Sequence, residues 1–370
     1  MPAYKNPISA RCLWIIHRES FHKEGRQKRM EKEKTEAVIG AAKKTFLAIQ
    51  NPYKTVEKVF PLAINAYQTG VPAYIGVKDH KSIPLHLIKT LEDTGKYALH
   101  TLDCNSLGGR AVDMCVRNPL TGNPMTGSSS GTALNVFYHM NDLGIGTDGG
   151  GSVLAPALSL QLFGFISSQI EKEEMEKFHR VSTDGLAFSP SVGLITREWE
   201  LLKETVRTVL HLPEDKEKAS CILASDKSTI SWKEVQKISY PDLDSDRETL
   251  IRFLKDTLSQ CDFMVSYEGP VDVRGMGDSI FGHFDPWTAK RQREAGKGLL
   301  RVANMVNADA VCIPGKELGC GWVLLCEGTP VKTKIMLEYA EKLVGGKDEL
   351  LGRYFGNLDL YFDRGYGKFS

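Results

Sequence analysis

Gly146-Thr147-Asp148-Gly149-Gly150-Gly151-Ser152 ends a short apolar run, Leu143 to Thr147, and opens a stretch with helical spacing, Val153 to Leu162. The order is strand, glycine turn, serine, helix. Three consecutive glycines let the backbone take positive φ and bring its N–H groups close to a bound molecule. Ser152 then sits beside donors able to hold a developing oxyanion, at a helix N-terminus that favours negative charge. A second cluster, Gly127-Ser128-Ser129-Ser130-Gly131, places Ser128 24 positions upstream and leads into a helix expected over Gly131 to Met140.

Working outward, Val71 to Val77 reads as a strand whose end delivers Lys78. A helix is expected over Ile83 to Lys96 and the next strand over Tyr97 to Leu102. Further strands are expected at Ala219–Ala224, Phe263–Val265, Ala308–Ile313 and Gly321–Cys326. Helices are expected at Glu198–His211, Arg247–Gln260, Trp287–Val306 and Val331–Val344. Polar segments at Pro213–Lys218 and Ser225–Asp246 are expected to carry loops and short elements. This alternation predicts an α/β fold with a large mixed β-sheet covered by helices on both faces. Arg18 to Lys44 is strongly charged and gathers apolar residues only from Ala37, which predicts one or two solvated helices leading into the fold. A helical segment over 1–60 packed on the core and a domain over 61–370 then form a single catalytic domain.

The clusters, together with Gly70-Val71-Pro72-Ala73-Tyr74-Ile75-Gly76-Val77-Lys78-Asp79, resemble the amidase signature family, which hydrolyses carbon–nitrogen bonds with a serine, a second serine and a lysine. Three segments occur in that family's order. The resemblance covers roughly residues 70 to 205 and includes Asn105-Ser106-Leu107-Gly108, Arg117-Asn118-Pro119-Leu120 and the run from Arg180 to Arg197. It implies a compact version of the amidase signature fold, with Ser152 as nucleophile, Ser128 as relay and Lys78 as base. It also implies a cis peptide at Gly127–Ser128, the cis-serine of the family's triad, and an oxyanion hole from Gly149, Gly150 and Gly151. Thr147 and Asp148 are expected to orient the glycine turn. Asp103, Cys104, Asn105, Thr126 and Gly127 are expected to line the substrate pocket. Where the family has Ile-Arg-x-Pro after the nucleophile, this chain has Val153-Leu154-Ala155-Pro156.

A serine hydroxyl must lose its proton as it attacks, so a base is needed within hydrogen-bond reach. Lysine serves only when neutral, which burial brings about by lowering its pKa. Other readings of the same residues are weaker. A phosphate cradle lacks the Gly-Lys-Ser/Thr that such loops carry. Gly127-Ser128-Ser129-Ser130-Gly131 satisfies Gly-x-Ser-x-Gly with Ser129 as nucleophile and His179, His211 or His283 as partner, but a proline-broken loop stands where that elbow needs a strand. The function expected is an amidohydrolase; the alternatives are a catalytically silent binding protein and a glutamine-hydrolysing amidotransferase component that works with a partner chain.

The chain has 370 residues, is 42% hydrophobic and 25% charged, and carries a formal net charge of +1, so nothing in its balance selects nucleic acid. No apolar run reaches the roughly twenty residues a membrane helix needs, and Cys12-Leu13-Trp14-Ile15-Ile16 is too short for a signal-peptide core. A cytoplasmic protein without a membrane partner is expected. The cysteines include no C-x-x-C pair and read as reduced, with no metal. No cofactor is implied, the partner is a small-molecule amide, and a homo-oligomer is allowed.

Overall fold

The computed structural model describes residues 10–362 except 183, 215, 216 and 347, with side chains from residue 29 onward. Helix α1, Ala10–Gln50, is one continuous element longer than the expected charged segment. Its C-terminal part is anchored through buried Ala41, Leu47 and Ala48 and through Lys44, whose ammonium lies 2.6 Å from Asp142.

The sheet has eleven strands. In chain order they are β1 Val56–Val59, β2 Ala73–Lys78, β3 Tyr97–Asp103, β4 Leu143–Asp148, β5 Phe163–Ser167 and β6 Ser191–Thr196. These are followed by β7 Ile222–Ser225, β8 Val235–Ile238, β9 Phe263–Glu268, β10 Ala308–Pro314 and β11 Gly321–Glu327. Their spatial order is β1-β3-β2-β4-β6-β5-β10-β11-β9-β7-β8. Pairing is parallel between β2 and its neighbours β3 and β4 and antiparallel across the centre, so the sheet is mixed. Strands β4 and β6 are buried along their whole length, as strands covered on both faces must be.

On one face lie α2, Leu85–Asp93, and the helices Trp199–Leu210 and Pro330–Ala340, whose Leu91, Leu202, Val206, Ile335 and Met336 share a core with Ile75, Ile145 and Phe165. On the other lie α3, Ser130–Phe137, α4, Leu154–Ser159, and the helix Arg247–Thr257, joined through Leu134, Leu154, Leu158, Leu250 and Leu254. Helix α3 sits directly on β4 because the strand turns glycines toward it. A Cβ on Gly144 would stand 2.6 Å from Thr132 Cγ2, and one on Gly146 would stand 2.5 Å from Ser129 Oγ.

One expectation changes here, and a new strand appears. Trp287–Val306 is not one helix: Pro286–Arg293 ends before Gly296, at φ 63°, and only short turns at Leu299–Arg301 and Asn304–Val306 follow. The buried Glu268 carboxylate takes the N–H groups of Leu299 and Leu300, which fixes the first of these turns. The stretch Arg180 to Arg197 contains β6 at the sheet centre, where Val192–Ile195 forms a short buried apolar run. Among the described residues, no helix is long and apolar enough to cross a membrane.

Candidate active site

Parallel strands β2 and β4 end on the same side of the sheet; the register sets Val77 opposite Ile145, which leaves Lys78 within reach of Thr147. Lys78 is 3% exposed. Its Nζ lies 2.8 Å from Ser128 Oγ and 3.0 Å from Thr147 Oγ1. Burial pulls the lysine pKa down to about 7; Asp148 opposes the shift and Arg180 adds to it. The amine is therefore neutral in part of its population near pH 7, as a base must be.

Ser128 arrives from a short strand, Pro124–Thr126, through a tight turn at Gly127. Gly127 has φ 74°, donates its N–H to Ala111 O, and leaves no room for a Cβ, which would meet Pro156 Cδ at 2.6 Å. The Ser128 N–H donates to Ser152 Oγ at 3.4 Å, and the Ser129 N–H donates to Ser152 O at 3.3 Å. Lys78, Ser128 and Ser152 thus meet in one place. Among the described residues the only cis peptide is Gly269–Pro270, so the expected cis bond at Gly127–Ser128 is corrected to trans. The left-handed glycine makes the turn instead.

The glycine turn before Ser152 is organised by one carboxylate. Asp148, fully buried, accepts the N–H of Gly151 at 2.7 Å and of Gly150 at 3.0 Å on Oδ1, and those of Val153 at 2.6 Å and Leu154 at 3.4 Å on Oδ2. Gly150 at φ 148° and Gly151 at φ 90° adopt conformations that a side chain resists, which lets the chain wrap Asp148 closely. This narrows the oxyanion expectation. Two of the three glycine donors, Gly150 and Gly151, already serve Asp148, leaving the amides of Gly149 and Ser152 as those it does not take. Helix α4 is also shorter than expected, closing before Gln161 at φ 57°. Leu154 is fully buried in the apolar core, so the side chain at this position contributes packing and no polar contact to the turn.

Ser129 is also fully buried, and its hydroxyl reaches Thr147 O at 3.5 Å. Of the two serines, Ser152 lines the cleft and Ser129 does not. His179 bonds to Ser189 and His283 to Ile280 O. His179, His211 and His283 are all exposed, whereas Ser129 is fully buried and its hydroxyl bonds to Thr147 O, so none of the three is its partner.

The cleft over Ser152 has a volume of about 370 Å³. Lys78, Asn105, Ser128, Thr147, Gly149 and Ser152 line it. The other expected pocket residues lie elsewhere. Asp103 is fully buried, accepting from Thr101 Oγ1 and Asn135 Nδ2, and burial lifts its pKa to about 7. Thr126 is 1% exposed, Gly127 backs onto Pro156, and Cys104 is half-buried outside the lining, its thiol pushed up to about 12 by burial. At the C-terminal end of β3 the Asp103 side chain meets Asn135 of α3 rather than the cleft.

Sequence reasoning missed His80, Ser82, Arg180 and Phe188, all of which line the cleft. Arg180 Nη2 lies 3.0 Å from His80 Nε2, and His80 Nδ1 lies 2.6 Å from Ser82 Oγ. Burial, with Lys78 and Arg180 nearby, brings the His80 pKa down to about 4. The signal for His80 was its place two residues after Lys78; Arg180 lies 102 positions beyond Lys78, and its signal was that it opens the run covered by the resemblance. Among the described residues no group of three or more His, Cys, Asp or Glu side chains is placed to hold a metal ion.

Comparison with known proteins agrees with this architecture. Residues 105–233 match the family model described as Amidase. Among solved structures, the chain is similar to a chain of the glutamyl-tRNA(Gln) amidotransferase from Thermotoga maritima, with 13% identity over 82% of this chain and 91% of that one, at a TM-score of 0.56. It is similar to the peptide amidase PAM, in a structure with the inhibitor chymostatin, with 13% identity over 85% and 96% of the two chains and a TM-score of 0.55. A structure described as that of an amidase gives 13% identity, 84% and 96% coverage, and a TM-score of 0.54. No curated protein matches the sequence significantly.

Proposed function

We propose that this chain, which belongs to the amidase signature family, hydrolyses the amide bond of a small molecule through an acyl-enzyme on Ser152. The observation that carries the reading is the Lys78 Nζ to Ser128 Oγ hydrogen bond of 2.8 Å, made by a buried lysine next to Ser152. Ser152 Oγ attacks the carbonyl carbon; its proton passes to Ser128 Oγ as the Ser128 proton passes to neutral Lys78. The carbonyl oxygen becomes the oxyanion, facing the amides of Gly149 and Ser152. On collapse the carbon–nitrogen bond breaks, and the leaving nitrogen takes the proton back from Lys78 through Ser128. Water then attacks the acyl-serine, giving a carboxylic acid and free Ser152. No cofactor enters these steps.

A cleft of about 370 Å³ lies near the lower end of the roughly 300–1,000 Å³ usual for ligand pockets, which supports a small-molecule substrate. Labelling the purified protein with a fluorophosphonate probe tests the reading, with the modified residue located by mass spectrometry. An adduct on Ser152 that fades in Lys78→Ala is expected. An adduct on Ser129, or no adduct at all, overturns it.

A further inference from the structure

The charged and titratable side chains that line the cleft are Lys78, His80 and Arg180, and among the described residues no acidic side chain lines it. Several other arginines have carboxylate partners, among them Arg110 with Asp278 at 3.0 Å, Arg197 with Asp142 at 3.4 Å and Arg247 with Asp184 at 3.1 Å, while Arg117 and Arg301 bond to backbone carbonyls. Among the described residues no carboxylate forms an ion pair with Arg180. Its partner is a ring nitrogen, His80 Nε2; a guanidinium only donates, so Nε2 accepts and the imidazole proton sits on Nδ1, which lies 2.6 Å from Ser82 Oγ and 3.2 Å from the Ser82 backbone nitrogen. That arrangement needs a neutral imidazole, and the low His80 pKa supplies one across the neutral range. The hydrogen bond uses one of the five guanidinium N–H groups and orients the planar fork. The remaining donors match the two oxygens of a carboxylate.

Resting on the amidase reading of Ser152, we infer that Arg180, positioned by His80 and Ser82, binds an anionic group of the substrate. The amides hydrolysed are then small molecules that carry a carboxylate as well as the scissile bond. Such a ligand supplies the negative charge that the cleft walls lack. The preference is for the anion itself, so an ester that keeps the shape but loses the charge binds less well.

Calorimetric titration of Ser152→Ala protein with succinamate, glutaramate and N-acetylglycine, each against its methyl ester, tests the inference without turnover. At least one carboxylate is expected to bind tenfold or more tightly than its ester, and the preference is expected to disappear in Ser152→Ala/Arg180→Gln. The corresponding Arg180→Lys protein is expected to retain part of it, since the charge remains and the fork is lost. Absence of any preference for the carboxylate, or its survival in the Arg180→Gln protein, overturns the inference. Fluorophosphonate labelling of the wild-type protein separates the two readings. Adduct on Ser152 without anion preference sinks this inference alone, whereas anion preference without an adduct keeps the anion site and sinks the hydrolase.

Discussion

Replacing Lys78 by methionine tests whether the site keeps a neutral amine at a cost in stability. In the folded chain Lys78 titrates near 7, against 10.5 for an ordinary lysine. Below about pH 7 both folded and unfolded chains carry the charge, and the folded one bears its full desolvation penalty. Between about 7 and 10.5 the unfolded chain binds more protons than the folded one, so stability rises with pH. Each unit is worth roughly 1.4 kcal/mol. Lys78→Met has no such group, so from pH 7.5 to 9.5 the wild type should gain roughly 3 kcal/mol on the variant. With an unfolding entropy of roughly 2 cal/mol/K per residue, that is about 3–4 °C in melting temperature for a chain of this size. The lost hydrogen bonds to Ser128 and Thr147, about 1 kcal/mol each, offset the comparison equally at both pH values. Melting curves of both proteins at several pH values read this slope, and fluorophosphonate labelling of the wild type should rise about tenfold per unit below pH 7 and level off above it. A melting-temperature gap that stays flat with pH means that Lys78 titrates like a free lysine, and the argument for it as base fails.

Other perturbations follow from the same contacts. Asp148→Asn removes the charge that holds four backbone N–H groups; it should lower the melting temperature by several degrees, the loss being roughly 2–4 kcal/mol. Because Asp148 raises the Lys78 pKa, the midpoint of the labelling profile in this variant should move below about pH 7. Ser128→Ala should cut labelling of Ser152 by roughly 10²- to 10⁴-fold while circular dichroism reports a retained fold. Gly127→Ala forces a side chain onto φ 74° and into Pro156, so a loss of about 1–3 kcal/mol or more is expected in denaturant unfolding.

The parts of the fold that could be read from the sequence are those with local causes. Val71 to Val77 shows β patterning and ends at Lys78, and three glycines before Ser152 announce a turn that only glycine makes easily. Strand β6 was hidden because Pro190 and Gly193 make its surroundings look like a loop, while its place between β4 and β5 depends on pairings 40 or more residues away in part of its register. The broken helix after Arg293 was equally hidden. Its interruption depends on Gly296 and on Glu268, a residue from a distant strand. At the site, the expectation that Asp148 orients the glycine turn was legible and hydrogen-bond ownership was not: the sequence does not say that Asp148 will take two of the amides counted toward the oxyanion hole, or that Asp103 will bond to Thr101 and Asn135 away from the cleft. The cleft's charge was the least legible feature, since Arg180 meets His80 only through the folded chain.

In the mechanism proposed above, Thr147 has a part that its neighbours make necessary. A neutral lysine amine has two N–H groups and one lone pair, and it can take the Ser128 proton only if the lone pair faces Ser128 Oγ. An amine free to rotate would donate to Ser128 as readily as accept from it, and in the donating orientation it removes no proton. Thr147 Oγ1, 3.0 Å from Nζ, accepts one N–H and so ties down the amine while Ser128 Oγ lies 2.8 Å away. The Ser128 hydroxyl is then free to give its hydrogen to Lys78 and to accept one from Ser152. Meanwhile the Ser128 backbone N–H points at Ser152 Oγ, where it favours the negative charge that grows as the proton leaves. The trans Gly127–Ser128 peptide and the left-handed glycine before it give that N–H its direction, so in this chain the turn and the proton relay depend on the same few backbone angles.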